Sequence, residues 1–280
     1  MTDQSTIRLD GKTVVVTGAG RGLGRAIALG LIDAGATVLA ADRDGDVLAE
    51  LLAAAAGRPG EIRGHVLDLT DNTALDRFIA DVLIPQTPDG LVNCAGIGQE
   101  VIRQDFATRP IPFYKVSDSD WRRIFAVNAE AVFRLCRAVA PAMAARGRGR
   151  IVSVTTSLET MIRPGMSPYG PAKAASEALS AVMAKDLAGT GVTVNVVVPG
   201  GPARTRMMPG VPENKLIAPE VMVGPVRYLL SDAAAIVTGR RFRAAAWKTD
   251  IPAAAAMAEA GAPLAWPGLA GGTAQNPLPV

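Results

Sequence analysis

The sequence predicts an α/β fold in which one doubly wound parallel sheet of about seven strands carries helices on both faces. Short Val-rich runs alternate with Ala- and Leu-rich helical stretches, 49% of the residues are hydrophobic while 4% are aromatic, and no linker occurs before about residue 250. Buried parallel strands favour such an aliphatic core. We therefore expect one domain over residues 1–250 and a C-terminal tail, residues 251–280, that is not a separate domain.

The individual elements follow from local periodicity. Short, mostly apolar runs predict strands at Thr13–Val16, Thr37–Ala41, Ile62–Leu67, Gly90–Asn93, Arg150–Thr155 and Val192–Val198. Helical spacing predicts helices at Leu23–Ala34, Asp46–Ala56, Asn72–Leu83, Asp118–Ala144, Ala172–Ala188 and Pro219–Leu230. The basic clusters at residues 146–150 and 240–243 are interpreted mainly as solvated loop ends, and the Ala-rich start of the tail as a helix before an irregular segment.

A glycine-rich turn, Thr17-Gly-Ala-Gly-Arg-Gly-Leu-Gly24, joins the first strand to the first helix. Glycines allow the backbone to approach a pyrophosphate closely, and the helix start offers free N–H groups. The turn therefore predicts a Rossmann-type dinucleotide site. Asp42, at the end of the second strand, suits the adenosine ribose hydroxyls and would repel a 2′-phosphate, which favours NAD. Arg21 and Arg43 argue the other way and keep NADP as an alternative.

Tyr169 and Lys173 are four residues apart in a predicted helical region. On a helix, residues at this spacing share one face. A neighbouring ammonium favours the phenolate and lowers a tyrosine pKa from its usual value of about 10. The pair therefore predicts a general acid/base that works near neutral pH.

Together these motifs resemble the short-chain dehydrogenase/reductase family over roughly residues 9–243. Asn93-Cys-Ala-Gly96 matches the family's Asn-Asn-Ala-Gly signature with Cys94 in place of the second asparagine, and Asn195 with Pro199-Gly200 matches its Asn-x-x-x-Pro-Gly. The resemblance implies cofactor contacts from Gly18, Arg21, Gly22, Leu23, Gly24, Asp42, Arg43, Asp68, Leu69, Asn93, Ala95, Gly96, Tyr169, Lys173, Pro199, Gly200 and Thr205.

The resemblance also implies a catalytic set of Asn128, Thr156, Tyr169 and Lys173. Tyr169 would exchange the alcohol proton while a hydride passes between the nicotinamide and the substrate carbon. Lys173 would lower the tyrosine pKa and hydrogen-bond the nicotinamide ribose, and Asn128 would orient a water that leads to the lysine.

Two assignments keep alternatives open. A hydroxyl after the fifth strand should hold the substrate oxygen. Thr156, thirteen residues before Tyr169, is in the expected register, and Ser157 takes the role if the register slips by one. Thr205 matches the family threonine that meets the carboxamide, unless an extra residue in the loop lies further along and places Arg204 there.

Three segments depart from the family pattern. The segment from Gly96 to Trp121 is longer than usual and is expected on the substrate side of the sheet. Only thirteen residues separate Thr205 from the helix at Pro219, where the family usually has a helical lid, so we expect a more open site. The tail, residues 250–280, is hypothesised to pack over the site or onto a neighbouring subunit.

Arginines are expected to flank the mouth of the site, at positions 163, 204 and 206. Guanidinium groups there would suit an acidic substrate such as a keto acid or an acyl-carrier thioester. Ordinary solvated loop residues account for the same pattern.

The leading interpretation is an oxidoreductase that transfers a hydride between NAD(H) and a secondary alcohol or ketone, an NAD(P)-dependent enzyme acting on CH–OH groups. One alternative is an NADPH-dependent ketoreductase of the 3-oxoacyl type. Another is a catalytically silent NAD(H)-binding module. Asp42 argues against the first alternative, and the intact set of Asn128, Tyr169 and Lys173 argues against the second.

Composition narrows the remaining classes. A single histidine, His65, and two cysteines, Cys94 and Cys136, predict no metal site; His65 is expected to be structural and both thiols free, as in a reducing cytoplasm. Dispersed basic residues predict no nucleic-acid partner, and the lack of a long apolar run predicts no membrane span. The partners we expect are a small-molecule substrate and further copies of the chain, as a homodimer or homotetramer formed through the helices at 118–144 and 172–188.

Overall fold

Eight strands in one sheet carry the fold of the protein. A computed structural model describes residue 4 and residues 7–266. The strands are β1 (Thr13–Thr17), β2 (Thr37–Asp42), β3 (Glu61–Val66), β4 (Gly90–Asn93), β5 (Gly149–Val154), β6 (Val192–Val198), β7 (Arg240–Arg243) and β8 (Gly261–Pro263). Their order is β3-β2-β1-β4-β5-β6-β7-β8, with β8 antiparallel to β7 and the others parallel. The doubly wound sheet is confirmed, and its strand order changes direction between β1 and β4, where such sheets bind ligands.

Helices cover both faces of this sheet. They are α1 (Gly22–Asp33), α2 (Gly45–Ala55), α3 (Asn72–Phe78), α4 (Asp118–Phe125), α5 (Ala131–Ala145), α6 (Leu158–Ile162), α7 (Tyr169–Asp186), α8 (Val223–Leu230) and α9 (Ala253–Ala260). The predicted helix at 118–144 is two helices joined by a π-helical turn at Ala126–Glu130, which contains Asn128. None of the helices within residues 7–266 combines the length and apolar character that crossing a bilayer requires.

The apolar runs that form the central strands β1, β4, β5 and β6 are buried on both faces, whereas the edge strand β3 is largely exposed. In β1, Val14 and Val16 pack in the layer that contains Ile27 of α1, whereas Val15 faces the layer that contains Leu135 of α5. Each face of a central parallel strand therefore needs an aliphatic side chain, and this is why the strands appear as continuous apolar runs rather than alternating ones.

The interpretation of residues 240–243 as a solvated loop end is wrong. These residues form β7, which pairs in parallel with β6, and Arg241 is 7% exposed. Arg150, from the other basic cluster, is also buried, in β5, where its guanidinium donates to the carbonyls of Gly149 and Gly191. Both guanidinium groups are tolerated in the interior because polar partners meet them there.

The start of the tail belongs to the core of this chain. Ala253, Ala256 and Ala260 of α9 are buried in the same layer as Trp247, and β8 pairs with β7 through Phe242 and Gly261. A short strand of this kind covers a sheet edge that would otherwise present unpaired backbone groups. The tail up to residue 266 thus packs beside β7 and does not cover the site, and the rest of the tail hypothesis falls on residues 267–280, outside the described residues.

We predict that Ala256→Asp destabilises the protein and that Ala258→Asp does not. Both positions are in α9, but Ala256 is fully buried and Ala258 is exposed. A carboxylate at position 256 would be buried without a partner, which costs about 3 kcal/mol or more. Thermal unfolding of the two variants measures the difference. Equal melting temperatures would mean that α9 does not pack on the core.

Candidate active site

A cleft of ≈ 1710 Å³ lies at the carboxyl ends of the strands. Nearly all of the predicted cofactor residues meet there. Those that line the cleft are Gly18, Arg21, Gly22, Leu23, Gly24, Asp42, Arg43, Asp68, Leu69, Ala95, Gly96, Tyr169, Lys173, Pro199, Gly200 and Thr205.

The glycine turn forms a tight cradle before α1. A Cβ on Gly24 would lie 2.0 Å from the carbonyl oxygen of Gly18, so that close approach admits no side chain. The first turn of α1 holds no acidic residue, and the side chain of its N-cap residue, Arg21, makes no capping hydrogen bond. The free N–H groups of that turn, with the positive end of the helix dipole, fit the pyrophosphate of a dinucleotide.

Asp42 is fixed at the rim of this cradle. One carboxylate oxygen accepts a hydrogen bond from the N–H of Gly20 at 2.9 Å, and the other accepts from the N–H of Asp44 at 3.2 Å. Arg21 donates to the carboxylate of Asp44, whereas Arg43 is exposed at the rim of the cleft. The carboxylate is therefore fixed beside the glycine turn, and one of the two competing guanidinium groups is already paired.

Asp68 marks the adenine end of the cleft expected from the sequence. Its carboxylate accepts hydrogen bonds from the N–H of Thr70 at 2.8 Å and from the Thr70 hydroxyl at 2.7 Å. Partial burial raises the pKa of Asp68, but the two Thr70 bonds and the charges of Arg43 and Arg123 outweigh it and leave the pKa below its usual value. The Asp68 carboxylate is thus charged and well fixed, with two arginines nearby.

Tyr169 begins α7 and is buried at the other end of the cleft. Burial raises the pKa of its phenol to about 12; a hydrogen bond with the Thr156 side chain lowers it, while the charges of Glu100 and Cys94 raise it. The expectation that Lys173 brings this pKa toward neutrality is therefore not met. Desolvation of the phenolate outweighs the hydrogen bond with the neutral Thr156 hydroxyl.

Lys173 is buried one turn after Tyr169. Its Nζ donates to the carbonyl oxygen of Val154 at 2.9 Å, and burial lowers its pKa to about 8. Asn128 is close by. A Cβ built on Gly96 would lie 3.0 Å from Asn128 Oδ1 and 3.3 Å from Lys173 Nζ, so both atoms flank one backbone position.

Asn128 is held rigidly in the π-helical turn. Its side-chain nitrogen donates to the backbone carbonyls of Ile97 and Ile124. Its backbone carbonyl accepts from the Ser176 hydroxyl. Its Oδ1 is buried without a hydrogen-bond partner within the part of the chain that the structure describes. A free acceptor beside the ammonium of Lys173 fits the water-orienting role that the family resemblance implies.

The two open alternatives differ in their surroundings. The Thr156 hydroxyl meets the phenol of Tyr169, whereas Ser157 caps α6, accepting from the N–H of Thr160 at 3.0 Å. Thr205 lines the cleft, whereas Arg204 does not and is exposed. The geometry favours Thr156 and Thr205.

Asn93 does not reach the cleft, contrary to the prediction. Its side chain is buried on the α5 side of the sheet, where the amide nitrogen lies 3.4 Å from both Cys136 Sγ and Ser153 Oγ. Successive residues of a strand point to opposite faces, and this residue points below the site rather than into it. His65, by contrast, packs edge-on against Phe78, as the structural role predicts.

The long segment after Gly96 lines one end of the cleft and packs against the loop before Tyr169. The Gln99 amide donates to the carbonyls of Gly165 at 2.6 Å and Ser167 at 3.0 Å. Pro110 packs so closely against Gly165 that a Cβ on Gly165 would lie 2.4 Å from Pro110 Cβ. The Glu100 carboxylate, a cleft residue that sequence reasoning did not assign, accepts from the N–H of Gly98 at 3.0 Å. Between Thr205 and Pro219 the only helical element is a short 3₁₀ turn, Glu213–Lys215, so these thirteen residues form no helical lid.

The arginines at the mouth do not act as one group. Arg163 and Arg206 line the cleft, but Arg163 forms an ion pair with Glu159 at 2.9 Å, and Arg204 lies outside it. Sequence reasoning instead missed Arg241, which lines the cleft from β7 and is paired with Glu177. The sequence held a signal for a buried cation near this helix: the acidic residue Glu177 falls four residues after Lys173 in an otherwise Ala-rich helix.

Comparisons with known proteins agree with this geometry. Residues 12–216 match the family model described as short chain dehydrogenase. The 3-oxoacyl-acyl-carrier-protein reductase of Thermotoga maritima is 31% identical over 246 residues, covering 84% of this chain and 96% of that protein. The 2-keto-3-deoxy-L-fuconate dehydrogenase of Xanthomonas campestris pv. campestris is 36% identical over 197 residues, covering 69% of this chain and 59% of that protein.

Among solved structures, a protein from Beutenbergia cavernae has a similar fold. It is described as an NAD(P)-dependent gluconate 5-dehydrogenase, with NADP bound at low occupancy. The TM-score is 0.74 at 34% identity, over 85% of this chain and 97% of that one. The chain therefore belongs to the short-chain dehydrogenase/reductase family and is an NAD(P)-dependent oxidoreductase acting on hydroxyl or keto groups.

Proposed function

We propose that this protein transfers a hydride between NAD(H) and a secondary alcohol or ketone, with Tyr169 as general acid/base. The observation that carries the proposal is a single cleft that holds the Tyr169 phenol beside the Thr156 side chain at one end and Asp42 at the other. The first supports proton exchange with a substrate oxygen, and the second supports NAD over NADP.

The nicotinamide, when bound, supplies or accepts the hydride. Tyr169 is protonated at neutral pH because its pKa is raised to about 12, so its O–H can donate to a ketone oxygen as that oxygen gains charge. Thr156 holds the same oxygen through its hydroxyl. Lys173, whose pKa of about 8 leaves it mostly charged near pH 7, stabilises the phenolate that remains and is placed for the nicotinamide ribose.

A second candidate is an NADPH-dependent 3-oxoacyl reductase. The similarity to the Thermotoga maritima reductase and the exposed Arg43 at the rim favour it. Asp42 disfavours it, because its carboxylate would repel a 2′-phosphate. Membership in an oxidoreductase family weighs against the silent-module alternative.

We further infer that the protein works as a homodimer or homotetramer in the cytoplasm. Phe133 on α5 and Val182 on α7 are large apolar side chains that are exposed on the long helices, which supports contact between copies. Cys94 and Cys136 are free thiols, which fits a reducing compartment.

Tyr169→Phe is expected to reduce turnover strongly and to leave cofactor binding intact. Removing the acid/base hydroxyl should lower kcat by ~10²–10⁴-fold. Turnover is measured on a panel: D-gluconate and sorbitol with NAD, ethyl acetoacetate and acetoacetyl-CoA with NADH. Tyr228→Phe is the matched control, because Tyr228 is buried in α8, donates to the Ala233 carbonyl and does not line the cleft. Full turnover by Tyr169→Phe would refute the proposed role.

The wild-type protein is expected to bind NADH more tightly than NADPH, by ~10-fold or about 1.4 kcal/mol. In Asp42→Asn this preference should shrink, because the amide keeps an acceptor for the N–H of Gly20 but loses the charge that repels a 2′-phosphate. Titrations that follow nicotinamide fluorescence give both dissociation constants. A wild-type preference for NADPH would instead favour the 3-oxoacyl reductase.

Lys173→Met is expected to change how stability depends on pH. Burial lowers the Lys173 pKa from 10.5 to about 8, so the unfolded chain holds the proton more tightly between these values. The wild-type free energy of unfolding therefore gains from this group as pH rises through that window, and the cost of the buried ammonium is largest below it. The methionine variant lacks this gain.

Urea denaturation of wild-type protein and Lys173→Met at about pH 7 and about pH 9.5 measures the effect, over a window fixed by the two pKa values. The stability of the variant relative to wild type should fall between the two pH values. The exposed Lys185, on the same helix, provides the control Lys185→Met. Parallel pH profiles for wild type and Lys173→Met would show that burial does not perturb Lys173.

A further inference from the structure

A buried ion pair lies beneath the segment that carries Thr156, and the proposed reaction gives it no part. Glu177 on α7 is 0% exposed and Arg241 on β7 is 7% exposed. Glu177 Oε1 and Arg241 Nη1 are 3.6 Å apart. Tyr169, Lys173 and Glu177 follow one another at four-residue steps, so the pair continues the stripe of α7 that forms the site.

Three buried side chains hold three consecutive residues at the end of β5. Lys173 Nζ donates to the carbonyl oxygen of Val154 at 2.9 Å. The Thr155 hydroxyl donates to Glu177 Oε2 at 2.6 Å, and Arg241 Nη2 donates to the carbonyl oxygen of Thr156 at 2.6 Å. Hydrogen bonds with a charged partner are stronger and more directional than neutral ones. The backbone at Thr156 is therefore held by side chains of both α7 and β7.

Stability alone does not account for a charge pair at this depth. Desolvation costs several kcal/mol per ion, and apolar side chains of similar volume often give an equal or more stable protein. Within residues 7–266, Glu177 Oε1 and Arg241 Nη1 make no hydrogen bond, so the two groups are not oriented for the best mutual attraction. Their remaining atoms are directed at Thr155 and Thr156 instead.

These contacts determine the position of one functional group, the Thr156 hydroxyl. Threonine is β-branched, so its χ1 angle has few allowed values and the direction of Oγ1 follows the backbone closely. A shift of the backbone at Thr155 and Thr156 would carry this hydroxyl away from Tyr169. Displacements of about 1 Å at a reacting centre can cost ~100-fold in rate.

We propose that Arg241 and Glu177 are positioning residues that hold the Thr156 hydroxyl against Tyr169, an inference that rests on the proposed function. Lys173 and the pair thus hold three consecutive residues, the last of β5 and the two that follow it. Neither Arg241 nor Glu177 exchanges a proton in this scheme; each acts through the backbone or side chain of the segment that it holds.

The test replaces the whole network by apolar residues: Thr155→Val, Glu177→Leu and Arg241→Met in one variant. No buried charge or hydroxyl of the network is then left unpaired, so the melting temperature should not fall. The expected result is a ~10–100-fold lower kcat on the best substrate of the panel, with KM and the NADH dissociation constant unchanged. Arg150→Met is the matched control, since Arg150 is equally buried at 7% exposure but lies at the opposite end of β5.

Two results would overturn the inference. A kcat equal to that of the wild type would make the pair purely structural. A raised KM with unchanged kcat would mean that Arg241, which lines the cleft, contacts the substrate directly. Failure of the proposed function is distinguishable, because the wild-type protein would then turn over nothing in the panel or Tyr169→Phe would remain active.

Arg241→Lys decides the question should the triple variant not fold. Lysine keeps the positive charge beside Glu177 but lacks the planar fork that reaches both Glu177 and the Thr156 carbonyl. The inference predicts a kcat several-fold below that of the wild type, with the NADH dissociation constant and the melting temperature retained. An unchanged kcat would refute it.

Discussion

The attachment of α7 to the carboxyl end of β5 is the constraint on which the site depends. Tyr169 starts the helix, Lys173 reaches the Val154 carbonyl one turn later, and Glu177 reaches Thr155 one turn after that. Helix and strand are both rigid, so these contacts set the distance between the phenol and the Thr156 hydroxyl. Burial supplies the rest, because the same packing that fixes the groups raises the pKa of Tyr169 to about 12 and lowers that of Lys173 to about 8.

The cofactor half of the cleft is fixed by a different set of contacts. Thr17 Oγ1, at the end of β1, accepts from the N–H groups of Cys94 and Ala95, each at 3.1 Å, and so ties the glycine turn to the loop after β4. Asp42 ties the same turn to β2 through Gly20. Hydrogen bonds from backbone N–H groups to these two side chains thereby fix the loops at the point where the strand order changes direction. A ligand at this point meets preformed geometry, which lowers the entropy lost on binding.

The end of the cleft near Tyr169 is shaped by the segments that differ most from the family pattern. The long segment after Gly96 contributes Gln99 and Pro110, which pack on the loop before Tyr169. The short segment between Thr205 and Pro219 forms no helical lid. A common core with variable loops explains how relatives as different as an acyl-carrier-protein reductase and a sugar-acid dehydrogenase share this fold. We therefore expect substrate choice to depend on the long segment after Gly96, whereas the described part of the tail packs beside β7.

Local spacing was sufficient to predict the alternation of strands and helices, the glycine turn and the Tyr169–Lys173 pair, because each depends on residues that are neighbours in the chain. The folded chain was needed for everything that depends on distant contacts. The sequence predicted Arg241 as a loop residue, but in the folded chain it is buried beside Glu177. It predicted Asn93 as a cofactor contact, but the side chain faces Cys136. The direction of the Tyr169 pKa shift belongs to the same group, since desolvation is a property of the packed interior and leaves no mark on sequence spacing.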